Sequence, residues 1–215
     1  LDLVVVITQE VGPVFERRLS VLDALEFAIL PALTSSETPT FNSCPVARLV
    51  EIDGATKSVL SSGACCLSDW SPDGQRIAFS SGLDLNPELY SIETDGSGLT
   101  RLTDDGATDT LPRWSPDGTR IAFASDRSAP LRLPMAELDL WILEVSSGQT
   151  RALTEGLGDV LGLSWSPDGK DIVFVGLDGG QSDLFITDLS GKNLRRLTSD
   201  RFTDRDPQFS PDGKQ

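Results

Sequence analysis

Carboxylates supply most of the chemistry available to this chain. Asp104, Asp105 and Asp109 fall within one short stretch, and Asp200, Asp204 and Asp206 within another. Two such stretches on one rim could offer the several oxygen ligands that a hard cation such as calcium takes. Neither follows the Asp-x-Asp-x-Asp-Gly order of a dedicated calcium loop. The plainer expectation is that these Asp and Thr side chains cap turns through local hydrogen bonds. A protein partner is a third use for the same charge. With 33 acidic against 18 basic residues and a net charge of −15, the chain should be steered toward a basic protein surface. The contact set expected for that partner is Asp104, Asp105, Asp109, Asp204 and Asp206, with Arg132 from an adjoining insertion.

Other chemistries are excluded or unsupported. Histidine is absent, which removes the Ser-His-Asp triad and nearly every common zinc site from this stretch of chain. There is no Gly-x-Ser-x-Gly elbow, and Gly179-Gly180 reads as a turn between strands and not as a phosphate loop. No catalytic residue, metal ligand or cofactor is therefore expected. A duplex or an anionic membrane surface would be repelled by the acidic field. The three cysteines, Cys44, Cys65 and Cys66, permit at most one bond, between Cys44 and one of the pair. Buried free thiols are the simpler reading. No run of 18 apolar residues exists, and Asp23, Glu26 and Pro31 interrupt the apolar stretch Leu19 to Leu33. The only methionine is Met135, so a removed leader or a fragment is expected.

The elements that must position these residues are repeats. Ser-Pro-Asp-Gly occurs four times, at 71–74, 115–118, 166–169 and 210–213. An aromatic residue precedes each copy: Trp70, Trp114, Trp165 and Phe209, spaced by 44, 51 and 44 residues. Ile77-Ala78-Phe79, Ile121-Ala122-Phe123 and Ile172-Val173-Phe174 follow the first three copies. A second aromatic comes next (Tyr90, Trp141, Phe185), and then a Leu-Thr pair beginning at Leu102, Leu153 or Leu197. The seven extra residues of the middle unit lie between Phe123 and Trp141. Within them, Asp126 to Glu137 forms an irregular loop carrying Arg127 and Arg132, a fair place for partner contact or a neutral length difference.

Each unit reads as four short strands. In the turns, Pro72, Pro116, Pro167 and Pro211 preset φ, and Asp73, Asp117, Asp168 and Asp212 suit the next position. Gly74, Gly118, Gly169 and Gly213 take the left-handed residue that closes a type I turn with a bulge, so the three inner glycines should behave alike on substitution. The third strand is expected at Glu88–Ile92, Asp139–Leu143 and Asp183–Thr187, and the fourth ends at Leu-Thr. Apolar runs are continuous, as they are when both sheet faces are covered. Four-stranded units at this period define an all-β fold, the β-propeller. The tryptophans are expected in the core or between blades.

The sequence Pro-x-Trp-Ser-Pro-Asp-Gly-x-x-Ile-Ala-Phe, an aromatic strand and Arg-Leu-Thr together resemble the TolB-type, WD-repeat-like propeller repeat. Its best copies are Pro112 to Phe123 and Pro207 to Gly213. Ser68 and Leu163 depart from it where it has Pro, and Cys65 and Val160 where Asp109 and Asp204 match. Such blades occur in a periplasmic protein, in tricorn-like assemblies and beside prolyl-oligopeptidase-type hydrolase domains. The resemblance thus implies the fold, and a six-bladed parent, more strongly than an activity.

Residues 44–215 are expected to hold half a blade (Val46 to Leu60, turning at Asp53-Gly54), three full blades and the first strand of the next, an incomplete ring. Residues 1–43 differ in kind. Leu3 to Ile7 is β-prone, and Phe15, Leu19, Leu22, Leu25 and Ile29 recur at helical spacing before a Ser/Thr/Pro linker. They could end a preceding α/β domain, or form a membrane-surface helix, though the polar face has no basic excess. The leading functional expectation is an extracytoplasmic, non-enzymatic scaffold for a protein partner. Its rivals are the accessory propeller of a serine peptidase and, more weakly, a small-ligand or glycan binder.

Overall fold

The structure, a computed structural model, describes residues 3–8, 46–51, 56–62, 64–82, 86–128 and 137–214, with side chains from Leu67 onward. The expected helix, the linker, the Asp53-Gly54 turn, Cys44 and Arg132 lie outside the described residues. The strands run β1 (Leu3–Thr8), β2 (Val46–Glu51), β3 (Thr56–Ser62), β4 (Ala64–Trp70), β5 (Arg76–Ser81), β6 (Glu88–Glu93) and β7 (Thr100–Arg101). They continue as β8 (Asp109–Trp114), β9 (Arg120–Ser125), β10 (Asp139–Glu144) and β11 (Thr150–Ala152). The last four are β12 (Val160–Trp165), β13 (Asp171–Asp178), β14 (Gln181–Asp188) and β15 (Arg195–Arg196).

Three antiparallel four-stranded meanders result, β4-β5-β6-β7, β8-β9-β10-β11 and β12-β13-β14-β15, and β1 joins β2 and β3 in a three-stranded sheet. The three four-stranded meanders are propeller blades. Each repeat begins a blade at its innermost strand, and β8 and β12 mark the two junctions between full blades.

Why the motif reads Ile-Ala-Phe is visible at those junctions. Successive strand residues point to opposite faces. One core cluster joins Ala78 and Leu89 of the first full blade to Trp114, Ile121, Phe123 and Leu143 of the second. The next cluster joins Ala122, Ala124, Leu140, Ile142 and Leu153 of the second blade to Trp165, Ile172, Phe174 and Phe185 of the third. So the Ile and Phe of each blade press on the blade before, while the small Ala between them admits the next blade's aromatics. The Phe79–Tyr90 and Phe174–Phe185 pairs stack within their own blades at 5.8 and 5.6 Å.

Two elements differ from the sequence reading. The outer strands are only two or three residues long and stop short of Leu-Thr. The Thr side chain is the reason, since it takes over the ladder's role. Thr103 Oγ1 accepts the Leu89 N–H at 2.9 Å and itself donates to Glu88 Oε2 at 2.7 Å. Thr154 does the same with Leu140 and Asp139, at 2.9 and 3.1 Å. Residues 204–209, expected as an innermost strand, carry no strand ladder among the described residues, although Asp204 N–H bonds Ser182 O at 3.1 Å.

The Ser-Pro-Asp-Gly turns pack in sequence around the rim. Gly74, Gly118, Gly169 and Gly213 all have φ of 68° or 69°. They are not equivalent to a methyl group, however. A Cβ on Gly118 would meet Pro72 Cγ at 3.3 Å, and one on Gly169 would meet Pro116 Cδ at 3.6 Å, whereas Gly74 faces open space. Gly74→Ala should therefore cost about 1 kcal/mol from the left-handed backbone alone, and Gly118→Ala should cost more. Thermal melts of the two variants check the order. Equal losses would mean that adjacent turns do not touch.

Each turn also locks its serine and aspartate. Ser115 Oγ donates to Asp117 Oδ1 at 2.6 Å, and Thr119 N–H donates to the same oxygen at 3.0 Å. These donors hold the Asp117 carboxyl down at about 2, with the serine first among them; Asp168 also sits at about 2, held mainly by Lys170 and Ser166. A depressed folded-state value means stability that is present above the unfolded value near 4 and lost as pH falls toward 2. Asp117 is exposed to solvent, so its share is small. Asp117→Asn should flatten the acid limb of stability between about pH 4 and 2 and leave the neutral region's slope unchanged, as urea titrations across that window would show.

Candidate functional site

Antiparallel meanders fix which loops share an end. The connections between blades and the loop between second and third strands lie at the end where the innermost strands begin. The Ser-Pro-Asp-Gly turns lie at the other. Hence Asp104, Asp105 and Asp109 share a rim with the insertion after Phe123, and contacts confirm it. Arg127 Nη1 meets Asp105 Oδ2 at 3.0 Å, and Arg127 Nη2 meets Asp109 Oδ2 at 2.5 Å.

The five aspartates of the expected contact set have different environments. Asp104 is the most open, with its side chain 78% exposed and paired to Arg101 at 2.8 Å. Asp105 is partly exposed and caps its own turn by accepting the Ala107 N–H at 3.0 Å. Asp109 is 0% exposed and gives a partner nothing to touch; burial pushes its carboxyl above the usual range, against the pull of Ser125 and Arg127. Asp204 accepts a hydrogen bond from Thr198 Oγ1, and exposed Asp206 sits in the left-handed region at φ 48°. Leu111, at the corresponding place in β8, has φ 57°. In β8 this residue lies within a bulge, between Thr110 and Arg113, where the strand leaves the rim.

Glu88, Asp105 and Asp109 bring a carboxylate oxygen each within 4.8 Å of one another. Hydrogen-bearing groups already surround them. Glu88 accepts from Thr103 at 2.7 Å, from the Gly106 N–H at 3.1 Å and from Arg101 at 3.2 Å. Arg127, 10% exposed, holds the other two while lying 5.0 Å above the rings of both Phe123 and Trp141. A calcium ion would face N–H and O–H donors here, so the cluster fits an ion-pair lock.

The lock follows a rule across junctions. Asp109 begins β8 and Asp204 stands at the corresponding repeat position after β15, with Arg101 and Arg196 on the outer strands before them. Arg196 pairs with buried Asp183 just as Arg101 pairs with Glu88. At the junction between the second and third blades, Val160 and Ala152 stand at the two corresponding places. There Asp139 is satisfied by Thr154 and by the Gly156 N–H at 2.9 Å. Arginine appears where a second carboxylate must be neutralised and is missing where it need not be. Sequence reading placed Arg127 in an insertion suited to partner contact or a neutral length difference, and not in a buried ion pair. Its signal was the Ala152 gap beneath Trp141, a ring that an outer-strand arginine would otherwise adjoin.

The fold and this polar lock define a class: a β-propeller whose blades are joined by buried carboxylates. The family described as "TolB beta propeller domain" matches residues 44–131, and the "Dipeptidyl peptidase IV (DPP IV) N-terminal region" matches residues 115–206. A solved structure of TolB from Acinetobacter baumannii superposes with TM-score 0.64 at 27% identity, covering 80% of this chain and 42% of that one. The chain carries TolB-like β-propeller repeats. The "Uncharacterized peptidase YuxL" of Bacillus subtilis is 30% identical over 153 residues, 67% of this chain and 20% of its own length. The "Tol-Pal system protein TolB" of Thiobacillus denitrificans is 35% identical over 68 residues, 32% of this chain and 16% of its own. The chain thus spans a fifth or less of either relative. No helix among the described residues is long and apolar enough to cross a membrane.

Proposed function

We propose that this chain is part of a non-enzymatic propeller scaffold that presents its acidic rim to a basic protein surface outside the cytoplasm. The observation carrying this reading is the rim itself: Asp104, Asp105 and the insertion share one end, on a chain of net charge −15. The similarity to a Tol-Pal system protein supports an assembly role and the location. Of the expected contacts, Asp104 and Asp206 are the exposed ones to test, because Asp105 also holds Arg127. Charge should act mainly on the association rate and fade with salt. The test uses the chain as bait for envelope proteins at low and high ionic strength, with an Asp104→Lys/Asp206→Lys bait beside it. A basic protein captured by the original chain and lost in the variant or in salt supports the reading. Capture indifferent to both puts the interface elsewhere.

The second reading is an accessory propeller of a prolyl-oligopeptidase-type serine peptidase. The dipeptidyl peptidase IV region match and the similarity to a peptidase support it. A reading frame that continues into Gly-x-Ser-x-Gly followed by Asp and His would establish that reading.

A further inference from the structure

At the end of the blades opposite the acidic rim, the innermost strands enclose a groove of about 320 Å³. Asp69, Arg113, Ser164 and Gln208 line it, and all four stand at one repeat position, immediately before Trp70, Trp114, Trp165 and Phe209. We propose that this groove binds a carboxylate through the Arg113 guanidinium.

The donors there outnumber the acceptors. Arg113 Nη1 reaches only two backbone carbonyls, Pro112 at 3.2 Å and Ser68 at 3.4 Å, and no carboxylate pairs with it among the described residues. The rest of its fork makes no hydrogen bond among the described residues. The Ser164 hydroxyl and Gln208 amide line the groove, and the buried Trp114 Nε1 has no acceptor. Among the described residues Asp69 is the one carboxylate in the wall; it accepts the Trp114 backbone N–H at 2.7 Å and lies within electrostatic reach of Arg113 without forming an ion pair. A guanidinium with free N–H groups, beside a serine and a glutamine in one concave site, suits a ligand rich in acceptors. A planar fork selects a carboxylate, and a single negative charge is the least opposed by the acidic surroundings.

The carboxylate could belong to a free small acid or to the end of a peptide. The four tryptophan indole N–H signals of the ¹⁵N-labelled chain provide the readout. Acetate, acetyl-Ala-Ala with a free C-terminus and the same peptide amidated are titrated in turn. The free peptide should move the Trp114 indole signal saturably, and the amide should not. Acetate acting as well as the peptide would identify a small acid as sufficient, and tighter binding of the peptide would identify a chain terminus. Arg113→Gln should weaken binding at least tenfold. Trp165 Nε1, which donates to the Arg113 carbonyl at 3.0 Å, should keep its position in that variant and so report an intact fold. No saturable movement, equal movement by the amide, or full binding by a folded Arg113→Gln chain would overturn the proposal. None of these outcomes bears on the acidic rim.

Discussion

Phe174→Ala is expected to lower the unfolding free energy by about 4 kcal/mol. Phe174 is fully buried, presses on the second blade and stacks on Phe185. Removing it opens a cavity at a junction between two rigid sheets that cannot collapse toward each other. A paired comparison sharpens the point. Leu153 and Leu197 hold the same repeat position, but Leu153 is 5% exposed beside the third blade while Leu197 is 48% exposed. Leu153→Ala should cost about 2–3 kcal/mol and Leu197→Ala less than about 1 kcal/mol. Urea unfolding of all three variants provides the test. Equal costs at the two leucines would mean that blade contact does not account for their difference.

Arg127→Ala should cost about 3 kcal/mol, because it strands Asp109 in the interior without a counter-charge. The informative variant is the double one. At the next junction the chain itself uses Val160 where Asp109 stands, and Ala152 at the outer-strand place that Arg101 and Arg196 hold. Arg127→Ala combined with Asp109→Val should therefore recover most of the loss, since an apolar replacement of a buried pair is often neutral. A double variant as unstable as Arg127→Ala alone would show that Arg127 acts through the Phe123 and Trp141 rings and not through charge.

The blade pattern was legible because it is local and repeated. Ser-Pro-Asp-Gly fixes a turn from four neighbouring residues, and Ile-Ala-Phe fixes two faces from three. What joins blades was harder to read. Glu88 and Asp109 are separate in sequence, and nothing local announces that both lie buried beside Arg127. The channel-side residues were hidden for another reason. Asp69, Arg113, Ser164 and Gln208 share a position but not a chemistry, so the repeat that places them also disguises them. Asp109 looked like a contact residue because composition reports charge and not exposure.

That the repeats stack face to face as propeller blades is the claim on which everything else depends. Two of the hydrogen bonds that cross between blades at long separation are Trp165 Nε1–H to the Arg113 carbonyl at 3.0 Å, and the Trp114 N–H to Asp69 Oδ2 at 2.7 Å. Hydrogen exchange of those two protons, read by NMR in the whole chain, tests the stacking directly. The expected result is protection at both sites matching that of the strand amides within β9 and β13. Rapid exchange at both, beside protected strand amides, would show folded hairpins that are not packed as blades and would contradict the account.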